Sequence, residues 1–198
     1  MQSIQTVSEN TIYVGASDRR LAKFENLFPI PRGVSYNAYV ILDEKTALLD
    51  TADASVGAQF LENVAAALDG RKLDYLIVDH MEPDHAAMIE AVLVRWPDLR
   101  LVVNAKTLPM LKMYFPTDSA AIDDALVVKE GDTLDLGKHK LTFVMAPMVH
   151  WPEVMMTFDT TTGTLFSADA FGTFGALEGA LFADEVDFAG KWLDDARR

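Results

Sequence analysis

Between residues 46 and 113 the chain alternates short apolar runs with stretches of helical spacing, and this alternation constrains the fold more than any other feature. Thr46-Ala47-Leu48-Leu49-Asp50 reads as a strand. Residues 55–69 carry Val56, Phe60, Leu61, Val64, Ala65 and Leu68 at helical spacing, and Gly70 sits where such a helix stops. Tyr75-Leu76-Ile77-Val78 is a second apolar strand, a helix begins near Asp84, residues 100–103 make a third strand and 105–113 a further helix. Repeats of this kind pair their strands in parallel and keep the helices outside. Residues 11–15 and 36–42 also read as strands, the second joined to 46–50 by the short loop Asp43-Glu44-Lys45. After residue 125 the pattern changes to short strands over 126–129, 133–136, 140–145, 154–159 and 164–167. Thr160-Thr161-Thr162-Gly163 is a hairpin turn, and a helix is predicted over 184–197. The expected organisation is α/β (mixed α+β): two sheets face to face, helices on the outer faces, one domain over 1–198 without an internal boundary.

Composition excludes several function classes. The chain has no cysteine, so disulfides, thiolate zinc sites, iron–sulfur clusters and cysteine nucleophiles are ruled out, and the expected compartment is a reducing, cytoplasmic one. A net charge of -13 argues against nucleic acid as a partner, because affinity for phosphate backbones rests on clustered Lys and Arg. No apolar run reaches the length of a membrane span, and Met1–Gln5 lacks the basic-then-apolar pattern of a signal peptide.

The informative polar residues stand at strand ends. His80 follows the apolar strand 75–78 directly, and His80, Glu82, Asp84 and His85 fall within six residues. Pro83 disfavours helix at Glu82, so the side chains of 80, 82 and 84 splay toward one centre. Asp84 also reads as a helix cap. His150 follows the strand ending at Met145 and lies between Pro147 and Pro152; Asp169 ends the strand 164–167 among small residues. Two histidines and two carboxylates in so short a segment point to a metal site. Met148, Trp151, Phe171 and Phe174 are expected to form an apolar wall beside it, whereas His139 reads as a solvated turn residue.

The motif His-x-Glu-x-Asp-His at 80–85, followed by His150 and Asp169, resembles the metallo-β-lactamase fold and, more narrowly, the flavodiiron proteins, or A-type flavoproteins. Ser35-Tyr36-Asn37-Ala38-Tyr39, Leu49-Asp50-Thr51, His150-Trp151-Pro152-Glu153 and Asp169-Ala170-Phe171-Gly172 carry the same resemblance. It implies an αββα sandwich and a diiron centre, with His80, Glu82 and His150 on one iron, Asp84 and His85 on the other, and Asp169 bridging. It implies reduction of dioxygen to water or of nitric oxide to nitrous oxide, with electrons from FMN on a flavodoxin-like domain. It further implies a homodimer or hetero-oligomer and a rubredoxin-like or flavin reductase donor.

Glu82 separates this expectation from its neighbours in chemistry. Hydrolytic relatives typically carry His there; a carboxylate adds negative charge and a hard oxygen donor that suit iron. The alternatives left open are a dinuclear zinc hydrolase and a non-catalytic oxygen-binding sensor. Two family features are not found: a further metal-binding histidine after the bridging Asp, and the flavodoxin-like domain. The last strand and helices of the fold are expected to be missing as well. A fragment, a split protein and a reduced relative are the competing explanations.

Overall fold

The computed structural model describes residues 3–116 and 119–196. Its larger sheet has seven strands in the order Gln5–Ser8, Thr11–Tyr13, Tyr39–Leu42, Thr46–Leu49, Tyr75–Ile77, Arg100–Asn104 and Leu126–Val128. The first four pair antiparallel and the last four parallel. The smaller sheet is an antiparallel meander of Thr133–Asp135, Lys140–Met145, Met155–Asp159 and Thr164–Phe166.

Register explains why the parallel strands are apolar throughout. Leu48 pairs with Leu76 and Leu76 with Leu101, all three facing the helices in one core. The neighbours Leu49, Ile77 and Val102 are likewise in register but face the second sheet, meeting Leu141, Phe143, Met155 and Phe166 there. Both faces of these strands are therefore dry, as parallel strands between two layers require. The helix Gly57–Leu68 buries Phe60, Val64 and Leu68 against the larger sheet. On the smaller sheet the outer face carries Thr142, Val144, Met156 and Phe158, all half-buried, and the exposed Leu165.

Several boundaries differ from the expectation. The run 36–42 splits, because Val34–Tyr36 pairs with Ala16–Asp18 in a separate ribbon before the chain enters the main sheet at Tyr39. The 126–129 strand joins the larger sheet rather than the meander that follows it. The helix from 57 stops at Asp69, which takes the left-handed cap conformation itself, with Gly70 following at φ 80°. The predicted helix over 184–197 breaks into a 3-10 turn at Ala183–Glu185 and two short helices, Phe188–Lys191 and Leu193–Ala196; residue 197 lies outside the described residues. Extended Val186 interrupts it, and Trp192, between the two short helices, packs on Gly175 beneath the Arg32 guanidinium, 4.4 Å from the ring centre.

Candidate metal centre

The parallel strands end along one edge of the larger sheet, where Asp50, Asp79 and His80 emerge together. This is the edge at which open α/β sheets place their sites. The chain turns abruptly there: Asp50 is left-handed at φ 55°. Glu82 is extended, and Pro83 occupies the first helical position behind it. The Glu82 backbone oxygen then accepts from the amides of His85 and Ala86, starting the turn Pro83–Ala86 that presents Asp84 and His85. From the second sheet, Met148 (φ 69°), Ala168 (φ 49°) and Phe171 (φ 69°) bend the two loops that carry His150 and Asp169. Left-handed non-glycine residues cost about 1–3 kcal/mol each and gather at functional sites.

The six predicted side chains meet. His80, Glu82, His150 and Asp169 form one set with potential ligand atoms all within 4.8 Å of one another, and Asp84, His85 and Asp169 form a second. His80 Nε2 lies 3.1 Å from Glu82 Oε2 and 3.2 Å from Asp169 Oδ2. His150 Nε2 lies 2.7 Å from Glu82 Oε2 and 3.4 Å from Asp169 Oδ2. His85 Nε2 lies 2.8 Å from Asp169 Oδ1 and 3.7 Å from Asp84 Oδ2. Asp169 thus offers one oxygen to each set. His80 is fully buried, whereas the His150 side chain is 57% exposed.

The electrostatics are those of carboxylates crowded around imidazoles. Burial would lower the His80 pKa, but hydrogen bonds to Asp169, Glu153 and Glu82 carry it to about 11. Burial opposes charge on His85 too, and is again outweighed, by Asp169 and Asp50, so its pKa lies well above the usual value. Asp169 is depressed: burial would raise it, but the bonds from His80 and His85 prevail. Asp84 goes the other way, raised by burial to about 6. Its Oδ1 is a buried acceptor with no hydrogen-bond partner. Mixed imidazole and carboxylate donors, with Asp84 Oδ1 and Asp169 Oδ2 both buried and without a hydrogen-bond partner, are a donor set that fits a pair of hard or borderline divalent cations.

Each inner imidazole is held from behind. His80 Nδ1 donates to Glu153 Oε1 at 2.8 Å, and the same oxygen accepts the Met81 amide at 3.0 Å. His85 Nδ1 donates to Asp50 Oδ2 at 2.9 Å, while Asp50 Oδ1 accepts the Asp79 amide at 2.7 Å. Thr157 from the second sheet donates its hydroxyl to buried Asp79, and the Asp79 carbonyl accepts the Met155 amide, so the two sheets are stitched together beneath the site. Burial raises the Asp79 pKa well above the ordinary carboxylate value. Glu153, Asp50 and Asp79 sit inside segments noted in the sequence, but no role followed for them there. Asp50 and Asp79 obey the same strand-end rule as His80 and were accessible by it.

The apolar wall is only partly as expected. Trp151 stands edge-on to His80, ring centres 5.3 Å apart. Met148 (69% exposed) and Phe171 (84% exposed) point to solvent instead, because the left-handed turn at each residue throws its side chain outward. Phe174 packs on Phe24 and Phe28. The cavity beside Asp84, about 480 Å³, is lined by Leu21, Phe24, Glu25, Tyr36, Asp53, Pro83 and Asp84, the first three from an N-terminal segment with no sequence signal. His139 is not solvated. It is 1% exposed, its Nδ1 2.7 Å from Asp159 Oδ2 and its amide donating to Asp43, because a buried carboxylate at the end of a neighbouring strand needs a donor.

A model of the ODP family of beta-lactamases matches residues 34–192. The anaerobic nitric oxide reductase flavorubredoxin of Klebsiella pneumoniae is 38% identical over 183 residues, covering 91% of this chain and 37% of that protein. The nitric oxide reductase of Moorella thermoacetica is 36% identical, covering 97% of this chain and 47% of that protein. Among solved structures, the flavodiiron protein from Giardia intestinalis superposes with a TM-score of 0.88 at 28% identity, covering 96% of this chain and 45% of that one. The rubredoxin oxygen:oxidoreductase from Desulfovibrio gigas gives 0.88 at 30% identity, covering 95% and 46%. The chain therefore spans less than half the length of these relatives. Among the described residues no helix is long and apolar enough to cross a membrane.

Proposed function

The chain belongs to the ODP beta-lactamase family, and on that premise we propose that it is the diiron domain of an oxidoreductase that reduces dioxygen to water, nitric oxide to nitrous oxide, or both. The observation that carries this reading is Asp169 offering one carboxylate oxygen to each of two ligand sets, one of which contains Glu82. His80, Glu82 and His150 would hold one iron, Asp84 and His85 the other, with Asp169 between them. Glu82 brings negative charge where a hydrolytic site typically carries a neutral imidazole, which favours iron over zinc.

When bound, the irons supply electrons and positive charge to a small gas molecule. The chain's own residues do the rest. Glu153 and Asp50 occupy Nδ1 of His80 and His85, leaving Nε2 of each ring facing the centre. The Trp151 edge shields His80 on one side. The cavity between Tyr36, Phe24 and Asp84 is large enough to admit a gas molecule to the second ligand set. Dioxygen reduction consumes four electrons and four protons, and coupling of two nitric oxide molecules consumes two of each. We place the electron source in FMN on a flavodoxin-like domain or chain, reduced in turn by a rubredoxin-like or flavin reductase donor. On this reading the chain is a single metallo-β-lactamase-like domain working in a homodimer or hetero-oligomer.

The test is metal analysis of protein purified without added metal, followed by anaerobic addition of nitric oxide, or addition of dioxygen, with FMN and a flavin reductase supplying electrons. Iron in both sites with reductant-dependent gas consumption is the expected result. Zinc in both sites with no iron refutes it, and stable oxygen binding without consumption of reductant favours a sensor.

A further inference from the structure

Asn104 ends the strand Arg100–Asn104 and is buried, at 5% exposure. Val102 pairs with Ile77 in parallel, so Asn104 leaves the larger sheet at the same edge as His80. Its side-chain amide is used at both ends. The oxygen accepts the backbone amides of Lys106 at 2.8 Å and Thr107 at 3.1 Å. These open the helix Thr107–Tyr114, where backbone donors lack helical partners. The nitrogen donates to the Glu153 carbonyl at 2.6 Å. Two donors on one side and a carbonyl on the other fix which way the amide faces.

That carbonyl belongs to the loop that brings His150 and Glu153 from the smaller sheet. The loop closes on itself: the Ala146 amide donates to the Val154 carbonyl at 2.9 Å, and the Met148 amide to the Trp151 carbonyl at 2.8 Å. The carbonyls of Pro152 and Glu153 face the larger sheet instead. Lys106 Nζ donates to the first at 3.0 Å in an exposed position, and Asn104 to the second in a buried one. Close packing is interrupted on this side by a cavity of about 210 Å³, lined in part by Asn104, Lys106, Met145, Pro147 and Glu153. Glu153 in turn accepts from His80 Nδ1 and the Met81 amide. His150 is met at Nε2, by Glu82. Among the described residues no hydrogen bond backs its Nδ1, so the loop sets the place of the ring.

We propose that Asn104 is a positioning residue of the metal centre, whose side-chain amide hangs the loop of His150 and Glu153 on the larger sheet. The inference rests on the metal-site reading above. Its effect reaches His80 through the Glu153 carboxylate and His150 through Trp151 and Pro152.

Two substitutions isolate the grip on Glu153. Asn104→Ser keeps an oxygen for the helix amides but is too short to reach the Glu153 carbonyl. Asn104→Asp keeps the reach and replaces the donor with a carboxylate. The first readout is amide hydrogen exchange of the metal-free protein. In both variants exchange at Met81 should accelerate about three- to tenfold relative to Val64, in the helix Gly57–Leu68. Loss of global stability would accelerate the two alike. The second readout is titration with Co(II), followed by its visible ligand-field absorption. Both variants should show displaced bands, and Asn104→Ser an affinity lower than the parent's by about threefold or more. Unchanged relative exchange at Met81, Co(II) bands and affinity identical to the parent's, or a response confined to Asn104→Asp, which reports added charge, each overturns the role of Asn104 while leaving the site intact. A parent protein that binds no Co(II) overturns the site and this inference together.

Discussion

Glu153 is the sharpest lever on the proposed metal centre, because one of its oxygens serves two buried donors. Oε1 accepts from His80 Nδ1 at 2.8 Å and from the Met81 amide at 3.0 Å, while Oε2 is buried without a partner. Glu153→Ala strands both donors, at about 1–3 kcal/mol each. Some relief comes from losing a carboxylate whose burial opposes its charge, so a net loss of about 2–5 kcal/mol is expected in urea unfolding of the metal-free protein. Glu153→Gln is more instructive. Its carbonyl oxygen can replace Oε1 and keep both bonds, but the acceptor is now neutral, and a charged hydrogen bond exceeds a neutral one by about 1 kcal/mol. The amide nitrogen then takes the place of an oxygen that had no donor to satisfy. His80 loses its anionic partner and becomes a poorer ligand. Changes of this kind lower metal affinity about 10–100-fold, or about 1.4–2.7 kcal/mol. Competition with a chelator of known affinity, monitored alongside urea unfolding, separates the two effects. Metal affinity of Glu153→Gln within about threefold of the parent would refute the claim that Glu153 tunes His80.

Other consequences can be measured directly. Glu82→His should lower iron retention and abolish gas reduction; unchanged reductant-dependent turnover would count against the role of the carboxylate. The metal-free protein should lose stability as pH rises. The folded pKa of His80 is raised from 6.5 to about 11 and that of Asp84 from 3.8 to about 6, so each contribution is complete below the lower value and disappears as pH climbs through the upper one. A urea midpoint that increases between roughly pH 6.5 and pH 9.5 would contradict this. Metal binding must displace the same protons, so apparent Co(II) affinity should increase over that interval. Phe143→Ala, in the core between the sheets, should cost about 3–5 kcal/mol in the same unfolding assay with little change in Co(II) bands.

What the sequence by itself determined is local in origin. An apolar strand fixes which residues are buried, and the first polar residue after it must emerge at the sheet edge. Leu76 and Ile77 therefore place His80, and Pro83 keeps Glu82 out of the helix, without reference to the rest of the chain. The helix at 57, the parallel strands and the hairpin turn at Thr160–Gly163 follow from spacing of the same kind. The tertiary structure decided whatever depends on partners far apart in the chain. Asp50 and Glu153 act only because folding sets them behind His85 and His80. His139 is buried because Asp159 awaits it across the sheet, where its own neighbours, Gly137, Lys138 and Lys140, suggest a solvated turn. The outward Met148 and Phe171 depend on left-handed turns whose side-chain directions no hydrophobic pattern encodes. Short-range periodicity selects an element and the face it buries, but the cost of a buried charge is met by whichever group the fold brings opposite, and only the folded chain specifies that group.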